Sequence, residues 1–288
     1  MTPREEIQKA IEKIDISRLL NVVDEYDQNG RRIMLEAISK RLTDKIKQTI
    51  MKQLGAETKI ADEKIRQWLL SEIPKMYIEG ANIADRTLKK YNVDILQDTL
   101  TVEALKTVAD FAPHLEVVNT LLSDAYLDFG NMMTGYQRGA EHILNDAMKL
   151  QMRQSIAMGR LEGQAVNTIA KNVATTFQNR GFTVLIDRGG KSWTLENYSK
   201  MLTRTHIVRA NNEGVIQRGI ENGIDLVEVI PHSGACSKCT PFEGKIYSLS
   251  GQSDVYPQLT EQPPYHPNCS HNLGLRPDLQ VAQYQEEE

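Results

Sequence analysis

Over the first 180 residues, apolar positions recur mostly at steps of three and four, the spacing of one helix face. Ser17 to Glu25 carries Leu19, Leu20, Val22 and Val23 on that period. Asn29-Gly30 reads as a turn. Arg31 to Leu54 then repeats Ile33, Leu35, Ile38, Leu42, Ile46 and Ile50 and stops at Gly55. Asp62 to Gly80 predicts a further helix with Trp68, Leu69, Leu70 and Ile73, which Pro74 should kink or divide. Thr101 is placed to cap the next helix, with Ala104, Leu105 and Val108 on its inner face. The longest element starts near Pro113, a favourable first-turn residue. Its stripe is Leu115, Val118, Leu122, Ala125 and Phe129, continuing through Ile143, Ala147, Leu150 and Ile156. If continuous it spans about 70 Å at about 1.5 Å per residue. Met132, Met133, Met148, Met152 and Met158 read as core gap-fillers. A shorter helix, Gln164 to Gln178, follows.

The pattern changes after Gly181. Phe182 to Ile186 predicts a strand, and Asp187 to Lys191 a tight turn. Thr194 caps a helix that runs to Asn222, with Gly223 as its C-cap. Leu226 to Ile230 alternates like a half-buried strand, and Lys245 to Leu249 is another. Residues 251–265 are a Gly/Ser/Pro/Gln-rich loop, and the Glu286-Glu287-Glu288 tail is solvated. The chain therefore reads as α+β: a long, mainly α-helical N-terminal region over 1–180, a small C-terminal α+β domain over 181–278, and an acidic tail over 279–288.

Composition narrows the class. A length of 288 residues allows one large domain or two modest ones. Only 6% of residues are aromatic, so the core relies on Leu, Ile, Val, Met and Ala. A net charge of −4 argues against a strongly basic nucleic-acid binder. Met1 to Glu6 is charged and no apolar segment follows, so no secretory signal is expected. No run approaches the roughly 18 apolar residues of a membrane span.

All 3 cysteines lie in two short segments, Cys236-Ser237-Lys238-Cys239 and His266-Pro267-Asn268-Cys269-Ser270-His271. A Cys-x2-Cys knuckle aims two thiolates at one point, and the second segment supplies another pair of ligands, the inventory of a closed Zn2+ site. Cys236, Cys239 and Cys269 are three ligands. The fourth is His266 or His271. Proline after His266 favours extended backbone there, and His271, two residues after Cys269, shares its face of an extended segment. His232 is a weaker candidate. The zinc reads as structural: there is no His-Glu-x-x-His, Ala235 stands where zinc deaminases carry Pro, and nothing in the sequence sets Glu243 or Glu261 beside the ion.

Other motifs have plainer readings. Gly189-Gly190-Lys191-Ser192 imitates the end of a phosphate loop, but Leu185 occupies the position of its first glycine. Arg204, Thr205, His206 and Arg209 read as a solvated helix face. Lys40, Arg41, Lys45, Lys47 and Lys52 form a basic stripe that reads as solvent-facing. His114 and His142 show no partner. No nucleophile–base arrangement stands out, so no catalytic residue and no cofactor-binding residue is assigned.

Several motifs in fixed order resemble the minor capsid proteins of tailed phages, within the wider Mu F-like head morphogenesis group. They are Gly190 to Tyr198, Leu202 to Thr205, Asn222 to Val227, Ala235 to Cys239, Gly244 to Ser248, Tyr256-Pro257 and His266 to His271. That group usually has Arg where this chain has Ser270, and Cys or His at the place of His271. The resemblance covers about residues 180–278. It implies a virion component rather than an enzyme, made in the host cytoplasm and placed in the capsid interior near the portal. Its implied partners are the portal protein and other capsid or scaffolding proteins. DNA contact and self-association in the virion are further implied interactions, and no membrane is involved. The rival reading is a zinc-dependent, treble-clef-like nuclease in which His266 or His271 acts on a phosphodiester.

Overall fold

The protein is described by a computed structural model covering residues 5, 9, 14–95, 99–107, 112–157, 163–180, 185–187, 190–232 and 234–280. The expected strand residues Phe182 to Val184, together with Val108, Met158 and the Glu286 to Glu288 tail, lie outside the described residues. Among the described residues the helices are α1 Ile16–Ile38, α2 Asp44–Lys90, α3 Val102–Thr107, α4 Ala112–Ala157, α5 Gly163–Arg180 and α6 Leu195–Glu221. A hairpin pairs β1 Leu185–Ile186 with β2 Ser192–Trp193. A second, antiparallel sheet has the order β4-β3-β5, from β3 Leu226–Val229, β4 Ile246–Ser248 and β5 Leu273–Leu275. The chain is thus mainly helical with a small antiparallel sheet near its C-terminal end. Strand β5 is absent from the sequence reading, because Leu273-Gly274-Leu275 is too short to show a period.

Two compact units emerge: Ile16–Trp68 with Leu127–Lys200, and Met1–Asp15 with Leu69–Tyr126 and Met201–Glu288. Helices α2, α4 and α6 contribute residues to both.

In the first unit, Leu19, Val23, Tyr26, Met34 and Ile38 of α1 are buried, as are Leu54 and Ile65 of α2 and Phe129, Met132 and Tyr136 of α4. The turn expected at Asn29-Gly30 is helix instead. Asn29 turns its amide to Glu57 (3.1 Å), and a Cβ at Gly30 would strike the Tyr136 hydroxyl, so the missing side chain serves close packing. The real interruption is at residues 39–43, inside the helix expected from Arg31 to Leu54. Gln151 of α4 makes it feasible. Its Nε2 donates to the carbonyls of Ile38 (2.7 Å) and Lys40 (3.1 Å), and its Oε1 accepts from the Leu42 amide (3.0 Å). Groups that a helix end leaves without partners are thereby satisfied. Thr43 then caps α2, its Oγ1 accepting from the Ile46 amide. Helix α2 continues through Gly55 and Pro74 for 47 residues, so neither stops it. Helix α4 is continuous over 46 residues, about 69 Å at about 1.5 Å per residue. Met152 is 64% exposed and fills no gap.

In the second unit α2 and α6 meet at backbone distance. A Cβ on Gly80 would fall on the Asn211 carbonyl, and one on Gly214 on the Tyr77 carbonyl. Leu115, expected on the inner face of α4, is 37% exposed, while Val118, Leu121 and Ala125 are buried. Thr194 Oγ1 accepts from the Asn197 amide at the start of α6, as its sequence predicts. At the other end Gly223 adopts φ 69°. Ile224 N donates to Gly219 O and Gly223 N to Ile220 O, a paired-bond helix stop. That stop turns the chain into β3. Ala84, Leu88, Val215, Ile224, Val227 and Leu275 form one buried cluster joining helices to sheet.

Candidate metal centre

Two turns present the sulfurs. In the first, the Cys239 and Thr240 amides both donate to the Cys236 carbonyl (2.9 and 3.0 Å), closing the knuckle and leading into the short 3-10 turn Thr240–Phe242. In the second, the Cys269 amide donates to the His266 carbonyl (3.0 Å). Pro267 sits at its second position and Asn268 at its third, with φ 64°. Proline presets the one dihedral and asparagine tolerates the other.

These turns bring five donor atoms together. Cys236 Sγ lies 3.6 Å from Cys239 Sγ, and His266 Nε2 is 3.2 and 3.1 Å from the same two sulfurs. Cys239 Sγ is 3.9 Å from Cys269 Sγ, which is 3.6 Å from His271 Nδ1. Two trios able to hold a metal ion result, Cys236/Cys239/His266 and Cys239/Cys269/His271, sharing the buried Cys239. All five residues read as ligand candidates from the sequence converge. His232 does not join them, since its Nε2 is 2.8 Å from Ser270 Oγ.

The local electrostatics differ across the cluster. The Cys239 and Lys238 amides point at the Cys236 sulfur and pull that thiol down to about 7. Burial pushes the Cys239 thiol up to about 12, and the neighbouring sulfurs add to it. A cation among them would relieve the crowding of thiolates, which is how such a donor set fits a soft or borderline divalent metal.

Sequence reasoning missed the residues that hold the donors in place. Glu243 Oε1 accepts from His271 Nε2 (3.0 Å) and from the His232 amide (2.6 Å). Those two bonds keep its carboxyl below the usual range, the His232 amide contributing most. Asn212 of α6 donates to the Pro263 and His271 carbonyls (3.1 and 3.3 Å) and accepts from the Leu273 amide (3.0 Å). One buried side chain thus fastens both flanks of the second ligand segment to a helix. Only the direction of α6 hinted at it; the partners are 51 to 61 residues away.

Elsewhere, three sequence expectations change. His206 is buried rather than on a solvated face, and Arg209 pairs with Asp124 at 2.6 Å. His114 is fully buried, with its Nδ1 2.7 Å from the Tyr77 hydroxyl and its Nε2 against Glu221. Lys47 of the basic stripe lies 3.1 Å from Asn145 and 3.6 Å from Glu141. Where the phosphate-loop imitation falls, Lys191 Nζ stands over the Trp193 ring (4.1 Å), while Asp187 accepts from the Lys191 amide and Trp193 Nε1. Among the described residues no helix is long and apolar enough to cross a membrane.

A family model described as phage minor capsid protein 2 matches residues 15–274. A "Structural protein" of Lactococcus phage LL-H is 28% identical over 102 aligned residues, covering 32% of this chain. The chain spans only 28% of that relative's length. No solved structure matches it.

Proposed function

The chain belongs to the phage minor capsid protein 2 family, and on that premise we propose that it is a structural virion component acting at the portal or procapsid during head assembly and DNA packaging or ejection. The observation that carries this is the extent of the match: residues 15–274 take in both compact units, not the metal-site segment alone. Its partners in this reading are the portal protein and other capsid or scaffolding subunits, with DNA contact and self-association in the virion. The helical region over 1–180 is the partner-facing arm and 181–278 the minor head domain. The protein is made in the host cytoplasm and ends in the capsid interior.

A structural Zn2+ belongs to the same reading. Cys236, Cys239 and Cys269, with His266 or His271, would hold it, and the ion would cross-link the knuckle to the segment that leads into β5. The donor chemistry supports this, as does the position of Glu243. Both bonds accepted by its Oε1 serve to position backbone and imidazole, which favours a closed clasp over an acid–base role.

The test has two arms. Purified phage particles should contain the chain at low copy number, and co-expressed portal protein should be retained on the tagged chain. Absence from particles, together with no portal retention, would contradict the assignment. Plasmid cleavage with Mg2+ or Mn2+ that His266→Ala abolishes would replace it with the nuclease reading.

A further inference from the structure

The sequence leaves two histidines competing for one coordination position. The geometry points to His271, through Nδ1, as the fourth ligand, and to Glu243 as the positioning residue that selects it. This rests on the metal reading above.

Three observations converge. First, the carboxylate of Glu243 can only accept, so the proton of His271 sits on Nε2 and the lone pair on Nδ1 faces the sulfurs. A ligand imidazole is commonly oriented in this way by a carboxylate on its other nitrogen. Second, the separations between neighbouring donors fit, while Cys236 lies beyond the Cys239/Cys269/His271 trio and joins it through Cys239. A tetrahedral ion with sulfur at about 2.3 Å and nitrogen at about 2.0–2.1 Å keeps S–S near about 3.8 Å and S–N near about 3.6 Å. The Cys236–Cys239 and Cys239–Cys269 separations are 3.6 and 3.9 Å, and Cys269–His271 is 3.6 Å. His266 Nε2 is closer to its two sulfurs than this, at 3.2 and 3.1 Å. Third, the environments differ. His271 is 3% exposed and its ring neighbours those of His232 and Tyr265. His266 is partly exposed, and its Nδ1 bonds the adjacent Pro267 carbonyl (2.8 Å).

Glu243 has a further consequence. Its second bond, from the His232 amide, joins the segment after β3 to the segment before β5 through a single oxygen. The same carboxylate that orients the ligand therefore also ties the two strands flanking the site.

The experiment measures zinc affinity by competition with a chromophoric chelator for the wild type, His266→Ala, His271→Ala and Glu243→Gln. Long-range 15N–1H NMR of the histidines in zinc-loaded wild type accompanies it. His271→Ala should weaken binding most, Glu243→Gln by roughly 10-fold or more, and His266→Ala less than either, because its ring would lie outside the coordination sphere. In the wild type the NMR should show His271 bound through Nδ1 with its proton on Nε2, a readout that needs no variant to fold. Bound zinc with His266 as the coordinated ring, or with affinity indifferent to Glu243, would overturn this inference and leave the metal reading standing. Wild type that takes up no zinc would overturn both.

Discussion

Arg218 shows how much one residue can hold in this chain. Its side chain is fully buried, yet it makes two bonds to Asp85 (2.6 and 3.2 Å) and one to Glu221 (3.1 Å). Glu221 in turn faces His114, which bonds Tyr77. Removing the guanidinium strands two carboxylates out of water, so Arg218→Met should lower unfolding stability by about 3–5 kcal/mol in urea titrations. A loss under about 1 kcal/mol would mean that water reaches the site. Acid should act on the same groups. Burial alone would raise the Glu221 carboxyl, but His114 and Arg218 overcome it and leave it lowered. Burial likewise opposes, and the Ser248 hydroxyl and Ser250 amide outweigh it, at Asp225. Asp278 is lowered chiefly by Arg276. Carboxyls depressed in the fold contribute stability above their unfolded values near about 4 and lose it as pH falls through the folded ones. Urea midpoints should therefore hold from neutrality to about pH 5 and drop below about pH 4. A midpoint unchanged at pH 3 would contradict these networks.

Elements in this protein are set by contacts that the local sequence shows unequally. The long α4, the Thr194 cap and strands β3 and β4 were legible because each is written in a short window of spacing or capping chemistry. The break at 39–43 was not, because its warrant is Gln151, more than a hundred residues onward. Nor was the passage of α2 through Gly55 and Pro74, where tertiary packing outweighs two local breakers. Gly80 closed the helix expected from Asp62, yet α2 runs on to Lys90, and Gly214 lies within α6. In the fold each admits a carbonyl of the other helix, so Gly214→Ala must push α2 and α6 apart. Helix propensity alone would make that change stabilising by up to about 1 kcal/mol. Packing should reverse the sign and cost about 1–3 kcal/mol or more, read as a lower thermal midpoint. A raised midpoint would show that the two helices do not touch there.

For the whole molecule, the family and the Cys/His cluster were the most legible features, and for the same reason. The order of C-terminal motifs and the Cys-x2-Cys and His-x2-Cys-x-His spacings are local, and the fold needs only two turns to bring their donors together. The supporting shell was illegible. Glu243 and Asn212 are ordinary residues until the sheet and α6 set them beside the ligand segments. Cys239, common to both trios, is therefore the residue on which the proposed metal site depends. Native mass spectrometry of the chain purified without added metal, beside Cys239→Ser, tests this most directly. About one zinc per wild-type chain, absent from the variant that loses the sulfur common to both trios, is the predicted result. Wild type without metal, or a variant that keeps its zinc, would contradict it.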